Sequence, residues 1–187
     1  MIRTRVGYAG GGSTNPTYHN LDSHSETIQI DYDPTRITYE ELLAVFWDSH
    51  SPTAQPWSRQ YMSIIFYHNE EQRAIAVESK EFQEDKLGHS IVTEIIPFSQ
   101  FYLAEDYHQK YYLTSEPNLV KELRGIYPDI HDFIASTAVA RLNGYAGGYG
   151  TIETLEDDLD SFGLSEAGKI RLLEIAERGL VAGCPVS

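Results

Sequence analysis

The segment from residue 3 to residue 33 constrains the fold most, because it predicts a strand, a glycine-rich loop and a second strand. Residues 4–8 and 26–33 are the predicted strands, and apolar and polar residues alternate along the second with the period of a half-buried strand. The run from Gly10 to Gly12 permits positive φ and lets the backbone approach a ligand closely. The sequence therefore predicts a binding loop between two strands.

The loop and the second strand carry a candidate acid, Glu26, with a phenol and an imidazole nearby in sequence, Tyr18 and His24. A carboxyl at the mouth of a strand can donate protons if its surroundings keep it protonated. The alternative is a well-solvated glutamate beside turn-forming polar residues. The residues by themselves leave both interpretations open.

The composition bounds the class of protein. A chain of 187 residues suits one domain with an appendage or two small domains. Its net charge of −14 argues against a nucleic-acid partner, and no apolar run approaches the roughly 20 residues that span a bilayer. The N-terminus has no apolar leader, so we expect a cytoplasmic protein without a membrane partner. We also expect a monomer.

Cys184 is the single cysteine, so no disulfide within the chain is possible and nothing requires an oxidising compartment. A lone thiol on a tail is usually inert. Gly183 and Pro185 flank it, however, and favour a flexible tail that can reach elsewhere. An idle thiol and a functional one both remain open.

Helix and strand signals alternate through the first half of the chain. Thr38 and Glu41 form a capping box that predicts one helix, while Asn69 and Gly88 predict the start and the stop of another. Two further strands are predicted at residues 61–67 and 91–96. The pattern predicts an α+β fold in which helices pack on a mixed sheet.

Residues 101–113 are both aromatic and acidic. Glu105, Asp106 and His108 form a possible metal trio, but on a helix Asp106 would point away from the other two. The favoured interpretation is packing of three aromatic side chains against the sheet: Phe101, Tyr107 and Tyr111.

The C-terminal third predicts an α-helical appendage. Helices are expected at residues 129–142, 151–160 and 165–179. The pentapeptide Gly-Tyr-Ala-Gly-Gly occurs at residues 7–11 and again at 144–148 without further similarity around it. We interpret the repeat as shared turn chemistry and not as a duplicated domain.

Several of these motifs together resemble the peptide methionine sulfoxide reductase A family. They come in the family's order: Val6-Gly-Tyr-Ala-Gly-Gly11, Asn15-Pro-Thr-Tyr18, His24-Ser-Glu26, Asp31-Tyr-Asp-Pro34, Phe46-Trp47, His50-Ser-Pro-Thr53, Arg59-Gln-Tyr61, Ser63-Ile-Ile-Phe-Tyr67 and Ala104-Glu-Asp-Tyr-His-Gln109. The resemblance implies a two-layer α/β sandwich on a mixed sheet over residues 1–113. A helical extension with a cysteine-bearing tail then occupies residues 114–187.

The resemblance also implies a reaction. The family reduces methionine (S)-sulfoxide, free or in proteins, by attack of a thiolate on the sulfoxide sulfur. A buried glutamate protonates the departing oxygen and two tyrosines hydrogen-bond it; by motif position these are Glu26, Tyr18 and Tyr61. A second cysteine then forms a disulfide, which an external dithiol such as thioredoxin reduces, so no bound cofactor or metal is implied.

Two departures from the family pattern stand out. The family's nucleophile lies in a Gly-Cys-Phe-Trp motif ahead of the segment that begins at Val6, and this chain has no such motif. The loop before Arg59 carries Trp57 and Ser58 where the family has a longer glycine-rich loop with an aspartate. With His24, these two residues are the candidate substrate contacts, and Trp57 is a candidate replacement for part of the family's aromatic wall.

Three hypotheses follow. In the first, the chain lacks about 30 N-terminal residues of a complete reductase. In the second, it is an inactive module that binds oxidised methionine or a partner. In the third, Cys184 acts as the nucleophile. We expect residues 1–187 alone to be poorly soluble, because a missing strand would leave an open sheet edge, and inactive with dithiothreitol. In a complete enzyme, Cys184 is expected to be the resolving cysteine.

Overall fold

The computed structural model describes residues 2–181, with side chains as far as Arg178. The described chain forms two compact units. One, the α/β unit, runs from Val6 to Glu105. The other, the helical unit, contains residues 2–5 and the chain from Asp106 onward.

The sheets of the described residues are formed by five short strands: β1 Arg3–Ala9, β2 Ser25–Asp31, β3 Ile64–Tyr67, β4 Glu94–Pro97 and β5 Phe101–Leu103. One sheet has the order β2-β1-β5, with β1 and β5 antiparallel and Tyr8 opposite Tyr102. The other pairs β3 with β4 in parallel, with Ile65 opposite Ile95. Strand β2 is therefore an edge of its sheet, and β3 has one partner strand in the described chain.

Two helices of the α/β unit begin and end where local chemistry predicts. In α1 (Tyr39–Asp48), the Thr38 hydroxyl and the Glu41 carboxylate complete the expected capping box. In α2 (Glu70–Leu87), the Asn69 side chain accepts from Gln72 N–H, and Gly88 ends the helix at φ 68°.

Two strands predicted from apolar runs begin later than expected. Residues 59–61 form a 3-10 helix instead of the first part of β3, and β4 begins at Glu94 instead of residue 91. The Arg59 guanidinium contacts both oxygens of Glu94 at 2.7 Å. This ion pair joins residues 35 positions apart, so a local pattern could not reveal it.

The α/β unit buries its apolar side chains in two clusters. One lies between the two helices and the parallel sheet: Leu43, Trp47, Ile65, Ala76 and Ile91. The other lies beside the glycine-rich loop: Tyr8, Leu21 and Ala104. Both clusters are small, and the loop residues rely on hydrogen bonds for their placement.

The helical unit contains six helices: α3 Tyr111–Thr114, α4 Pro117–Ile126, α5 Ile130–Ala135, α6 Thr137–Ala146, α7 Ile152–Asp158 and α8 Glu166–Val181. Its core is larger than either cluster of the α/β unit and includes Leu119, Leu123, Ile134, Leu142, Leu155, Phe162 and Leu172. The α+β class with a C-terminal helical region, expected from the sequence, is confirmed. None of the helices in residues 2–181 has the length and apolar character that crossing a membrane requires.

Three expectations for this part of the chain were wrong in detail. The helix predicted at residues 129–142 is divided at Ser136, whose side chain caps α6. That helix then continues into the second glycine-rich pentapeptide and ends within it at Ala146. Tyr107 and Tyr111 are 59% and 70% exposed, so they do not pack against a sheet as expected.

Polar contacts join the helices to one another. Arg171 on α8 contacts both oxygens of Glu116, at the start of α4, at 2.9 Å. Glu122 on α4 accepts from the backbone N–H and the hydroxyl of Ser165 at 2.9 Å. Because Ser165 precedes α8, these bonds tie the start of that helix to α4.

Candidate functional site

The glycine-rich loop is closed by a buried histidine. His24 is 1% exposed, and its Nδ1 accepts from Gly11 N–H at 3.1 Å. Its Nε2–H donates to the Ser13 carbonyl at 2.9 Å. A Cβ on Gly11 would lie 2.5 Å from the imidazole, so this contact requires glycine. Both ring nitrogens of His24 thus hold the loop, which is a structural use of a residue expected to contact substrate.

A carboxylate at the end of β5 fixes the position of the Tyr18 backbone. Glu105 Oε1 accepts from Tyr18 N–H at 3.0 Å, and Oε2 accepts from the Tyr8 hydroxyl at 2.6 Å. Tyr8 is buried in β1, so the loop is attached to the middle strand of the sheet. The phenol of Tyr18 is thereby carried on an anchored backbone.

The 3-10 helix at residues 59–61 is attached to the start of β2. The Ser25 hydroxyl donates to the Arg59 carbonyl at 2.6 Å. Together with the ion pair between Arg59 and Glu94, this bond places Gln60 and Tyr61 beside the next residue of the strand, Glu26.

Gln60 joins Glu26 to Tyr61, and Tyr18 lies beside Tyr61. Gln60 Nε2 donates to Glu26 Oε1 at 2.7 Å and to the Tyr61 oxygen at 3.1 Å. The neighbouring Tyr18 phenol raises the pKa of Tyr61, and desolvation and the charges of Tyr18 and Glu26 raise it further. These four residues are called the carboxyl–phenol cluster below.

An open apolar groove of about 470 Å³ begins at the cluster. Glu26 and Tyr61 line one end of it. Polar side chains such as Gln29 and His50 also contribute, but much of the wall is formed by apolar side chains of β2, α1 and β3: Ile28, Ile30, Leu42, Leu43, Phe46, Ile64 and Phe66. Glu26 is exposed, as is Ile28 at 57%. The resemblance implied a buried glutamate; the open edge of β2 leaves this one in contact with solvent.

Trp57 and Ser58 lie on the same side of the unit as the cluster. The Trp57 ring is 81% exposed and lies against the Tyr61 ring, with centroids 4.7 Å apart and planes at 30°. Ser58 Oγ is buried and has no hydrogen-bond partner among the described residues. Cys184, the other predicted participant, lies outside the described residues.

A series of hydrogen bonds through His50, Ser63 and Thr93 lies beside the groove. His50 Nδ1–H donates to the Phe46 carbonyl at 2.8 Å, which leaves Nε2 to accept from the Ser63 hydroxyl at 3.0 Å. The Ser63 oxygen lies 2.9 Å from the Thr93 hydroxyl. This series joins α1 to the entries of β3 and β4.

Gln60 is the cluster member that sequence reasoning missed. The motif Arg59-Gln-Tyr61 gave its position, but its partner Glu26 is 34 residues away and no local pattern indicates the contact. In the described part of the chain, no three or more His, Cys, Asp or Glu side chains are arranged to hold a metal ion.

Comparisons with known proteins give the family of this chain. A family model described as "Peptide methionine sulfoxide reductase" matches residues 1–138, and one described as "Selenoprotein methionine sulfoxide reductase A, helical domain" matches residues 131–177. The fold and the matches define the class: the chain belongs to the peptide methionine sulfoxide reductase family.

Three relatives illustrate the likeness. A peptide methionine sulfoxide reductase of Drosophila melanogaster is 43% identical over 167 residues, which cover 88% of this chain and 67% of the fly protein. The Methanosarcina acetivorans reductase MsrA is 47% identical over 124 residues, covering 60% and 65%. The A5 reductase of Oryza sativa is 41% identical over 152 residues, covering 78% and 59%. The chain thus spans about two thirds or less of these relatives.

A solved structure has a similar fold. The crystal structure of reduced Mxr1 from Saccharomyces cerevisiae superposes with a TM-score of 0.56 at 32% sequence identity. The match covers 61% of this chain and 71% of the yeast chain.

Proposed function

We propose that this protein takes part in the thiol-dependent reduction of methionine (S)-sulfoxide, free or in proteins, with Glu26 as the general acid. The observation that carries the proposal is the carboxyl–phenol cluster, in which one carboxyl and two phenols meet at the mouth of an apolar groove. Membership of the reductase family supports it.

The cluster suits the acid half of the reaction. When a thiolate attacks the sulfoxide sulfur, charge develops on the oxygen, which must be protonated to depart. Glu26 supplies that proton, and the Tyr18 and Tyr61 hydroxyls stabilise the oxygen by hydrogen bonding. Overall, two thiols give up two electrons and two protons, and the sulfoxide becomes a thioether and water.

Proton donation near neutral pH requires that Glu26 be taken out of water. Glu26 is exposed in this structure, but it lies beside Ile28 on the wall of the groove. A ligand that covers this wall removes solvent from the carboxyl. One face of the Trp57 ring lies against Tyr61, and the other, exposed face is proposed to contact the sulfoxide methyl. Ser58 is proposed as a further contact, for which its hydroxyl, buried in this structure, must turn toward the ligand.

The thiol chemistry is assigned by family resemblance. Cys184 is proposed as the resolving cysteine, and a thioredoxin-like dithiol as the external reductant. A resolving cysteine attacks a sulfenic acid and does not bind substrate, so a tail beyond α8 suits it. The division into a reductase-like domain over residues 1–113 and a helical extension over 114–187 is proposed with it.

A second candidate is a module that binds oxidised methionine without reducing it. One observation favours it: the chain has a single cysteine, Cys184, so no residue between 2 and 181 supplies a thiol at the cluster. The two candidates predict the same ligand and differ in turnover.

The test is an assay of residues 1–187 with N-acetylmethionine (S)-sulfoxide and dithiothreitol, in which both methionine formation and ligand binding are measured. If the chain turns over, Glu26→Gln is expected to lower the rate about a hundredfold or more, and Glu40→Gln, on the exposed first turn of α1, to leave it unchanged. Loss of turnover in Cys184→Ser would identify Cys184 as the nucleophile.

Binding of the (S) diastereomer without turnover would show that the second candidate, a binding module, describes this chain. Absence of both binding and turnover would contradict the proposed function. Turnover that survives Glu26→Gln would contradict the role of Glu26.

A further inference from the structure

Gln60 occupies the centre of the carboxyl–phenol cluster, yet the reaction described above gives it no part. Its Nε2 group has two hydrogens, and each has an acceptor: Glu26 Oε1 at 2.7 Å and the Tyr61 oxygen at 3.1 Å. One carboxamide therefore sets the separation between the acid and the phenol. We propose that Gln60 is a positioning residue that holds the Glu26 carboxyl beside the Tyr61 hydroxyl, an inference that rests on the proposed function.

The chemistry of a carboxamide suits this place. Its N–H groups pair with an ionised carboxylate, and after rotation of the amide its carbonyl oxygen accepts from a protonated carboxyl. Gln60 can thus remain bonded to Glu26 before and after the proton leaves. A general acid must be held in place in both states, because it gives up the proton and later regains it.

The backbone around Gln60 is held independently of its side chain. The preceding residue, Arg59, is fixed through its carbonyl by Ser25 and through its guanidinium by Glu94. Removing the carboxamide therefore leaves the 3-10 turn in place and removes only the two bonds to Glu26 and Tyr61. Gln60 is half-buried and belongs to neither apolar cluster, so a substitution there leaves both clusters intact.

Gln60 can affect both tyrosines of the cluster, although it contacts only Tyr61. Gln60 donates to the Tyr61 oxygen, and Tyr61 in turn interacts with the Tyr18 phenol. Donation from Gln60 stabilises the phenolate and so lowers the pKa of Tyr61, against the larger upward effect of Tyr18. The pKa of Tyr61 therefore reports whether Gln60 makes its bond.

The experiment compares wild-type residues 1–187 with Gln60→Leu and with Gln55→Leu, a matched control at an exposed glutamine of the same loop. The Tyr61 ring signal, assigned with Tyr61→Phe, is followed by NMR as pH rises. Gln60→Leu is expected to shift the Tyr61 titration to higher pH, and Gln55→Leu to leave it unchanged. Gln60→Asn, whose carboxamide is too short to reach both acceptors, is expected to behave like Gln60→Leu and replaces it if that variant does not fold.

Binding of N-acetylmethionine (S)-sulfoxide is measured on the same samples. Gln60→Leu is expected to weaken it about fivefold, the effect of one net hydrogen bond lost from a preorganised site. An unchanged Tyr61 titration in both Gln60 variants overturns the proposal. If wild type binds no sulfoxide while the titration shifts, the proposed function fails and the hydrogen-bonding role of Gln60 stands.

Discussion

The helical unit and the α/β unit place their side chains in different ways. The helical unit buries its large apolar residues around one core, joined by ion pairs such as Arg171 with Glu116. The α/β unit divides its described buried residues between two smaller clusters and leaves a 470 Å³ groove open. Packing around one core stabilises the helical unit, whereas the α/β unit keeps polar groups beside an open groove that a ligand can reach.

The largest expected effect is a core truncation in the helical unit. Leu172 on α8 is 0% exposed, and Leu172→Ala is expected to cost about 3 kcal/mol of unfolding free energy in urea titrations. Ile170→Ala on the same helix, where the side chain is 58% exposed, is expected to change little. Leu43→Ala, which borders the groove, is expected to cost less than Leu172→Ala. Equal losses at Leu172 and Leu43 would contradict the contrast between the units.

The second effect is a dependence of stability on pH that arises from Lys110. Burial, aided by the Arg5 charge, lowers the pKa of Lys110 to about 8, and Nζ donates to the Thr4 carbonyl. Between about pH 8 and 10.5 the unfolded chain binds more protons than the folded chain, so stability rises with pH by about 2 kcal/mol. Below about pH 8 the penalty for the buried charge is fully present.

Urea titrations across this pH range check the effect. Lys110→Met is expected to remove the rise, while Lys121→Met, at an exposed lysine of α4, is expected to retain it. If the unfolding free energy of Lys110→Met still rises with pH, the rise comes from another group and this explanation is wrong.

A third, smaller effect compares one buried hydroxyl from each unit. Tyr39 Oη lines the groove without a hydrogen-bond partner among the described residues, and burial raises the pKa of Tyr39 to about 12. The Tyr145 hydroxyl, in the helical unit, donates to Asp158 Oδ2 at 3.2 Å. Tyr39→Phe is expected to gain about 1 kcal/mol and Tyr145→Phe to lose about 1 kcal/mol in urea titrations. Two changes of the same sign would contradict this account.

The smallest effect on stability is expected at Trp57. Because the ring is 81% exposed, Trp57→Ala is expected to change the unfolding free energy by less than about 0.5 kcal/mol. It is expected to weaken sulfoxide binding severalfold, since the ring that covers Tyr61 is lost. Phe82→Ala, at an exposed ring on α2, is the control and is expected to leave binding unchanged. Unchanged binding in Trp57→Ala would remove the aromatic contact from the proposal.

Local signals predicted the helices better than the strands. The caps at Thr38, Asn69 and Gly88 act within one turn, and all three are confirmed. Helix α4 was missed although Pro117 stands at its first turn, a recognised start signal. The strand expected from Tyr61 was wrong at its start because the pair between Arg59 and Glu94 acts over a long sequence distance.

In the candidate site, too, the sequence indicated residue positions but not the contacts between residues far apart in sequence. Motif resemblance gave the positions of Glu26, Tyr18 and Tyr61, and the structure brings these three together. The motif resemblance gave no role to Gln60, because its contacts depend on the attachment of the 3-10 turn to β2. Nor did it indicate that both nitrogens of His24 are bonded to the loop backbone, since those contacts arise only when the loop closes.

The most direct test of the central claim is NMR of the tyrosine ring signals during titration with the two diastereomers of N-acetylmethionine sulfoxide. We expect the (S) form to shift the signals of Tyr18 and Tyr61 at lower concentration than the (R) form. Tyr112 and Tyr149, neighbouring rings of the helical unit with centroids 6.2 Å apart, serve as internal references and are expected not to move. Equal responses to both diastereomers, or shifts confined to Tyr112 and Tyr149, would contradict the assignment of the site.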